Sequence, residues 1–295
     1  MFKQILRFSA LIVILAACNA APAAPPTSTP APGGSAAGLQ VLMVQSVLTV
    51  GPNRFAFVLL NGDVFVKNAK LTLTFYDLGK GEKPVGTLPG VYREAPDGLV
   101  GMYTAEMTFA EAGSWGVAVA GTASDGKVID QKVAFEVVAS SPELAVGKKA
   151  PAAKSPTLDS VGGDYKKLTS APKPNPAFYR FSVDQALASG KPTLVQFSTP
   201  AFCNSRLCGP AYDVIDKMYP AYADKVNFVH VEVYKDLPNP DLSKPQIADA
   251  MTAWGLKTDP WTYLLDKDGV VVWRVEGLVT TDEVQAALDK LLKAS

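Results

Sequence analysis

The stretch Thr199-Pro200-Ala201-Phe202-Cys203-Asn204-Ser205-Arg206-Leu207-Cys208-Gly209-Pro210 follows directly on the apolar run Pro192-Thr193-Leu194-Val195-Gln196-Phe197. The chain has three cysteines, and two of them sit here, five positions apart. A β-rich run followed by a cysteine that opens a helix is the layout of a reactive thiol. The partial positive charge of a helix N-terminus stabilises a thiolate placed against it. The pattern around this stretch alternates helix and strand. Val183 to Ser189 reads as a short helix, Thr193 to Ser198 as a strand, and Cys203 to about Ala223 as a helix containing Pro210. Val226 to Tyr234 is a strand and Pro245 to Trp254 a helix. Trp261–Asp266 and Val270–Glu276 form a hairpin across Lys267-Asp268-Gly269, and Thr281 to Leu292 closes as an amphipathic helix. This order makes an α/β layer structure with a mixed sheet over residues 177–295.

These elements resemble the thioredoxin-like superfamily across about 115 residues. The resemblance rests on Val195-Gln196-Phe197 before the cysteine, Pro210 in the following helix, Asp259-Pro260-Trp261 before the hairpin, and Gly277 after it. It departs from the family in one respect: the usual Cys-x-x-Cys is Cys203-x4-Cys208. The resemblance implies thiol–disulfide exchange, with Cys203 as the attacking thiolate and Cys208 as the resolving thiol. It implies that Pro260 is cis and supports an extended substrate, and that Asp259 offers backbone groups there while disfavouring acidic substrates. The family's buried Asp falls on Gln196, which cannot ionise, and its Lys falls on His230, the single histidine of the chain. His230 is then either a proton acceptor for Cys208 or a core histidine satisfied by one hydrogen bond. Arg206, one turn after Cys203, either favours the thiolate or is a solvated arginine.

The spacing has a geometric consequence. With Cys203 at the helix start, positions i and i+5 lie on different faces, roughly 8 Å apart between Cα atoms. That exceeds the ~7 Å limit of a disulfide, so a bond requires an irregular first turn. Two other resemblances stay open. The Cys-x4-Cys spacing with Thr-Pro before it looks like the atypical two-cysteine peroxiredoxins, although Thr199 lies four residues before Cys203 rather than three. Cys203, Cys208 and His230 together resemble the ligand set of copper-delivery thioredoxin-like proteins, although those have Cys-x3-Cys and a later histidine. A structural disulfide is a further alternative.

The third cysteine speaks to compartment. Lys3 and Arg7 precede an apolar run from Ser9 to Ala17, the layout of a secretory signal. That run is too short to span a bilayer, which needs roughly 20 apolar residues. Leu15-Ala16-Ala17-Cys18 closely resembles a bacterial lipobox, which implies cleavage after residue 17 and a lipid on Cys18. Residues 18–39, nearly all Ala, Pro, Ser, Thr and Gly, are expected to form a disordered tether. The expected location is therefore extracytoplasmic, lipid-anchored at the cell membrane, where a Cys203/Cys208 pair is oxidised or cycled by partners.

Residues 40–138 read as about seven short strands divided by turn signals such as Asn61-Gly62-Asp63 and Asp125-Gly126. An antiparallel sandwich is expected. Gly101-x-Tyr103-x-Ala105-x-Met107 followed by Ala112-Gly113-x-Trp115-x-Val117 resembles the small immunoglobulin-like domains of YtkA type. Residues 139–176, rich in Pro, Ala, Ser and Lys, read as an inter-domain connection lying partly over a domain surface. Lys+Arg and Asp+Glu are both 28, so the chain carries no global field for nucleic acid. One histidine and two available cysteines make a multi-ligand metal site hard to build, so no cofactor or metal is expected. The expected partners are protein thiols or disulfides, an upstream envelope redox partner and the membrane.

Overall fold

The computed structural model describes residues 38–294 apart from Glu82 and Asn204. The expected signal peptide 1–17, Cys18 and the tether up to residue 37 lie outside the described residues. Among the described residues, no helix is long and apolar enough to cross a membrane.

The first unit is all-β. It comprises β1 (Leu39–Met43), β2 (Gly51–Asn61), the short β3 (Val64–Phe65), β4 (Lys70–Asp77), β5 (Pro84–Glu94), β6 (Gly101–Phe109), β7 (Gly113–Thr122) and β8 (Val128–Val137). Every pairing is antiparallel, in the order β1-β2-β6-β5-β4-β7-β8, with β3 on β2. The expected two-sheet immunoglobulin-like sandwich is instead one sheet nearly closed into a barrel. The cause is β5, a strand that the turn-like residues Gly86, Pro89 and Gly90 hide in the sequence. Its first part pairs with β4 and its last four residues, Val91–Glu94, pair with β6, so one strand joins what would be two sheets. Gly90 permits the bend: a Cβ there would lie 2.9 Å from that of Leu71. The seam is drawn together by Val50 N–H to Val138 O at 3.0 Å and Val138 N–H to Leu48 O at 2.9 Å.

Period-two alternation sends Leu71, Leu73 and Phe75 of β4 and Trp115, Val117 and Val119 of β7 into the barrel. Phe55, Phe57 and Phe109 fill it. Tyr103 is fully buried, and its hydroxyl has partners for both its roles: it donates to Val66 O at 2.7 Å and accepts from Ala69 N–H at 2.9 Å.

The second unit is mixed α/β. Its elements are α1 (Val183–Ala188), β9 (Thr193–Ser198), α2 (Cys208–Tyr222), β10 (Asn227–Glu232), α3 (Asp249–Ala253), β11 (Trp261–Leu265), β12 (Val271–Glu276) and α4 (Thr281–Ala294). The sheet order is β10-β9-β11-β12, with β9 and β10 parallel and the remaining pairs antiparallel. Central β9 is buried throughout and its side chains sort by alternation. Val195 and Phe197 join Met251 and Trp254 of the α3 side, whereas Leu194 joins Ile215 and Leu288 of the α2/α4 side. The expected helix from Cys203 starts five residues late, at Cys208, with Leu207 as its N-cap. Pro210 then falls in the first turn, where a missing N–H costs nothing and the fixed φ suits the helix.

The stretch 139–176 is laid along the α/β unit. Leu144 N–H bonds Trp254 O at 3.0 Å, Ala150 N–H bonds Gly269 O at 2.9 Å, and Trp254 Nε1–H bonds Pro151 O at 3.1 Å. Ala150 and Ala153 enter the core on the α3 side, and Leu168 and Ala171 enter the core on the α2 side. The sequence hides this because small residues bury well without forming a periodic apolar pattern.

The two units pack together. Leu278 is buried among Ala95, Val100 and Met102 of the β unit, with Leu207 at the edge of the cluster. Arg54 donates from Nε to Glu283 Oε1 at 2.6 Å, and from Nη2 to Glu283 Oε2 and to Leu278 O, each at 3.0 Å. Arg93 pairs with Asp282 and Glu283 beside it. Gly277 has φ of 82°, and a Cβ there would lie 2.4 Å from Val44 Cγ1, so only glycine fits.

Candidate redox site

The site assembles from three places in the chain. The irregular segment between β9 and α2 carries Cys203, the first residue of α2 is Cys208, and the turn entering β11 carries Asp259 and the cis Pro260. Gly277 N–H holds that turn through Pro260 O at 2.8 Å. The two sulfurs and an Asp259 carboxylate oxygen lie within 4.8 Å of one another. Because Cys203 precedes the helix instead of capping it, the i/i+5 separation of a regular helix does not apply. The segment turns back on itself through Arg206, whose φ is 60°, so that Cys203 faces the start of α2.

The two cysteines differ. Cys203 is half-buried, while Cys208 is 0% exposed. The Cys208 thiol donates to Asp259 Oδ2 at 2.8 Å, and Cys203 Sγ lies 3.1 Å from Ser205 Oγ. Cys203 has its pKa held down to about 6, first by the Cys208 thiol, then by the Ser205 hydroxyl and the Cys208 backbone N–H at the helix start. Cys208 has its pKa pushed up, first by its hydrogen bond to Cys203, then by burial and the negative charge of Asp259. An accessible thiol that ionises readily therefore stands beside a buried thiol that keeps its proton. This is the polarity expected of an attacking and a resolving cysteine.

The other anticipated residues are placed as follows. Arg206 is exposed, and it is not among the groups that favour the Cys203 thiolate. Helical spacing from Cys203 suggests it, but the helix begins only at Cys208. Gln196 is fully buried beneath α2, donating from Nε2 to Ala211 O at 2.8 Å. His230 is its register partner across β9 and β10. The His230 ring is committed elsewhere: Nδ1 lies 2.9 Å from Tyr179 Oη, and Nε2 lies 2.8 Å from Ser198 Oγ and 3.1 Å from Ser198 O. Burial holds its pKa down to about 3. Cys208 is paired instead with Asp259, which the resemblance places on the substrate side. Among the described residues, the metal-capable donors that cluster within 4.8 Å are Cys203, Cys208 and Asp259, and His230 is not one of them. The copper ligand set drawn from the resemblance is thus not assembled. The readable sign of Asp259 was its place directly before Pro260. Ser205 gave no sign beyond its nearness to Cys203.

His230 makes stability depend on pH. An unfolded histidine titrates near pH 6.5, and the folded one is depressed to about 3. Between those values the unfolded state binds more protons, so stability rises with pH. The contribution is complete above about pH 6.5 and is lost as pH falls toward 3. Urea melts at pH 7 and pH 5 should show the wild-type chain losing about 2 kcal/mol more than His230→Gln over that interval. Equal losses would mean that the ring is not held neutral.

No protein-family model matches the sequence, and no curated protein is similar to it at a significant level. Among solved structures, the chain is distantly similar to a thioredoxin-family thiol:disulfide interchange protein of Chlorobium tepidum TLS. The identity is 18%, with 50% of this chain and 98% of the other covered and a TM-score of 0.35. A candidate thiol:disulfide interchange protein DsbE of Chlorobium tepidum is 17% identical, with 52% and 98% covered and a TM-score of 0.34.

Proposed function

We propose that this protein performs thiol–disulfide exchange on proteins outside the cytoplasm, held at the cell membrane by a lipid on Cys18. The observation that carries the exchange reading is the asymmetry of the pair: Cys203 accessible with its pKa lowered to about 6, and Cys208 buried within 4.8 Å of it with its pKa raised. A structural disulfide needs no such asymmetry, because neither sulfur then has to ionise. Cys203 attacks a client disulfide, and Cys208 resolves the mixed disulfide and releases the client as a thiol. Pro260 directly follows Asp259 of the site, and the thioredoxin-like resemblance makes it the support for an extended client. Gln196 supports the first turn of α2 through Ala211 O and takes no part in proton transfer.

The decisive experiment is reduction of insulin by the dithiol form, together with a redox titration of the Cys203/Cys208 pair. Insulin reduction and a potential above about −300 mV are expected. No reduction and a potential below that value would assign the pair to a structural bond. Peroxide consumption with a thiol donor separates a thiol peroxidase from this reading. The anchoring half is tested by Cys18→Ser, which should abolish partition into the detergent phase. Unchanged partition would remove the lipid anchor from the reading.

A further inference from the structure

We propose that Asp259 is the catalytic proton acceptor for Cys208 in the step that closes the Cys203–Cys208 disulfide, an inference that rests on the thiol-exchange reading. Cys208 is fully buried, so water cannot take its proton directly. Its single S–H proton has two acceptors, Cys203 Sγ and Asp259 Oδ2, the latter 2.8 Å away. In the resting dithiol Cys203 is the ionised competitor. Once Cys203 is joined to a client sulfur its charge is gone, and a neutral sulfur is a weak acceptor. Asp259 is then the anionic acceptor still in contact with the thiol. It is half-buried, so it can pass the proton on to solvent or to the departing client.

The other ionisable groups nearby are engaged or of the wrong kind. Tyr234 lies near Cys203, Cys208, Asp259 and Glu232, and both its burial and their charges disfavour its ionisation. Glu232 accepts from Ser170 N–H at 2.7 Å, from Ser170 Oγ–H at 2.9 Å and from Val233 N–H at 3.2 Å. Glu276 is tied to Ser46 and Thr258. His230 is tied to Tyr179 and Ser198.

The step balances as follows. The Cys208 S–H bond breaks and its proton goes to Asp259 Oδ2. The sulfur electron pair forms the bond to Cys203 Sγ. The bond between Cys203 Sγ and the client sulfur breaks, and the client leaves as a thiolate carrying that electron pair. Protonated Asp259 then gives its proton to this thiolate or to water. The cysteine pair is oxidised by two electrons, and the client disulfide, which opened when Cys203 attacked, is reduced by two.

The test mixes the reduced full-length chain with oxidised glutathione, then acid-quenches and counts the glutathionylated intermediate by mass spectrometry. In Asp259→Asn the intermediate should accumulate, its resolution slowed about 10²-fold at pH 7, the scale of a lost general base. That residual rate should rise with hydroxide, while Asp259→Glu should restore resolution to within a few-fold. The first modification of Cys203 should not slow, because Asp259 disfavours that thiolate. In the unsubstituted chain, independently of any variant, resolution should stay flat between pH 6 and 8. Wild-type resolution in Asp259→Asn, or a tenfold rise per pH unit in the unsubstituted chain, would overturn the assignment of Asp259 while leaving thiol exchange intact. Failure of the unsubstituted chain to close its disulfide would overturn the exchange reading and this assignment with it.

Discussion

Cys203→Ser is expected to abolish the proposed exchange, by at least about 10³-fold, the scale of a removed nucleophile. Cys208→Ala should behave differently: the first attack should survive and the protein should halt as a mixed disulfide on Cys203. The asymmetry follows from burial, since a client can reach the half-exposed sulfur but not the one that is 0% exposed. Cys208→Ala also removes the largest influence on Cys203, the hydrogen bond from the Cys208 thiol. The midpoint of the pH dependence of alkylation should therefore move from about 6 toward the ordinary cysteine value of about 8.5. At pH 7 that takes the thiolate from about nine-tenths of the population to a few per cent. The check is the iodoacetamide rate and thiolate absorbance against pH, with trapping of the glutathione adduct. A midpoint still near 6 in Cys208→Ala would transfer the effect to Ser205 and the start of α2. Equal loss of the first attack in both variants would contradict the assigned order of the thiols.

Arg54→Met is expected to cost about 3 kcal/mol of stability and to uncouple the two units. Arg54 and Glu283 are 11% and 9% exposed, so removing the guanidinium leaves a carboxylate largely out of water. Glu283 keeps Thr280 N–H at 3.1 Å, Thr280 Oγ1–H at 2.9 Å and the longer contact from Arg93 at 3.3 Å. These groups do not replace a bidentate arginine. The double variant Arg54→Met/Glu283→Leu should recover most of the loss, because a buried pair replaced by apolar groups is often neutral. Guanidinium melts followed separately through β-unit and α/β-unit reporters should coincide in the wild type and separate in Arg54→Met. A loss under about 0.5 kcal/mol would place the pair among the inconsequential surface contacts.

The α/β unit was legible because its elements carry strong local signals. The run Thr193–Ser198 is apolar enough to be central, and the Lys267-Asp268-Gly269 turn sets the hairpin. Val284 and Leu288 line one face of the last helix, and both are fully buried. The adjacency of Gln196 and His230 was implied by the thioredoxin-like resemblance, which puts them on neighbouring strands, and the two are register partners. Alternation alone sets the face of a residue and not its register. The parts that stayed hidden depend on contacts far apart in sequence. Strand β5 looks like a string of turns until β4 and β6 take up its backbone hydrogen bonds. The start of α2 was misplaced because a cysteine followed by polar residues reads as a helix cap, while the backbone there turns through Arg206 first.

The sequence by itself marked out the residues of the candidate site: two cysteines five apart after an apolar strand, and a proline preceded by an acid before the hairpin. These are identities and spacings, which local physics can read. Only the tertiary structure decided how each group is buried and which partner it meets. It sets Cys208 inside and Cys203 outside, gives Asp259 to the buried thiol, and withdraws His230 into a bond with Tyr179. Burial and the pairing of proton donor with acceptor depend on groups brought together from positions 51 residues apart, as Cys208 and Asp259 are, and no local pattern encodes that approach.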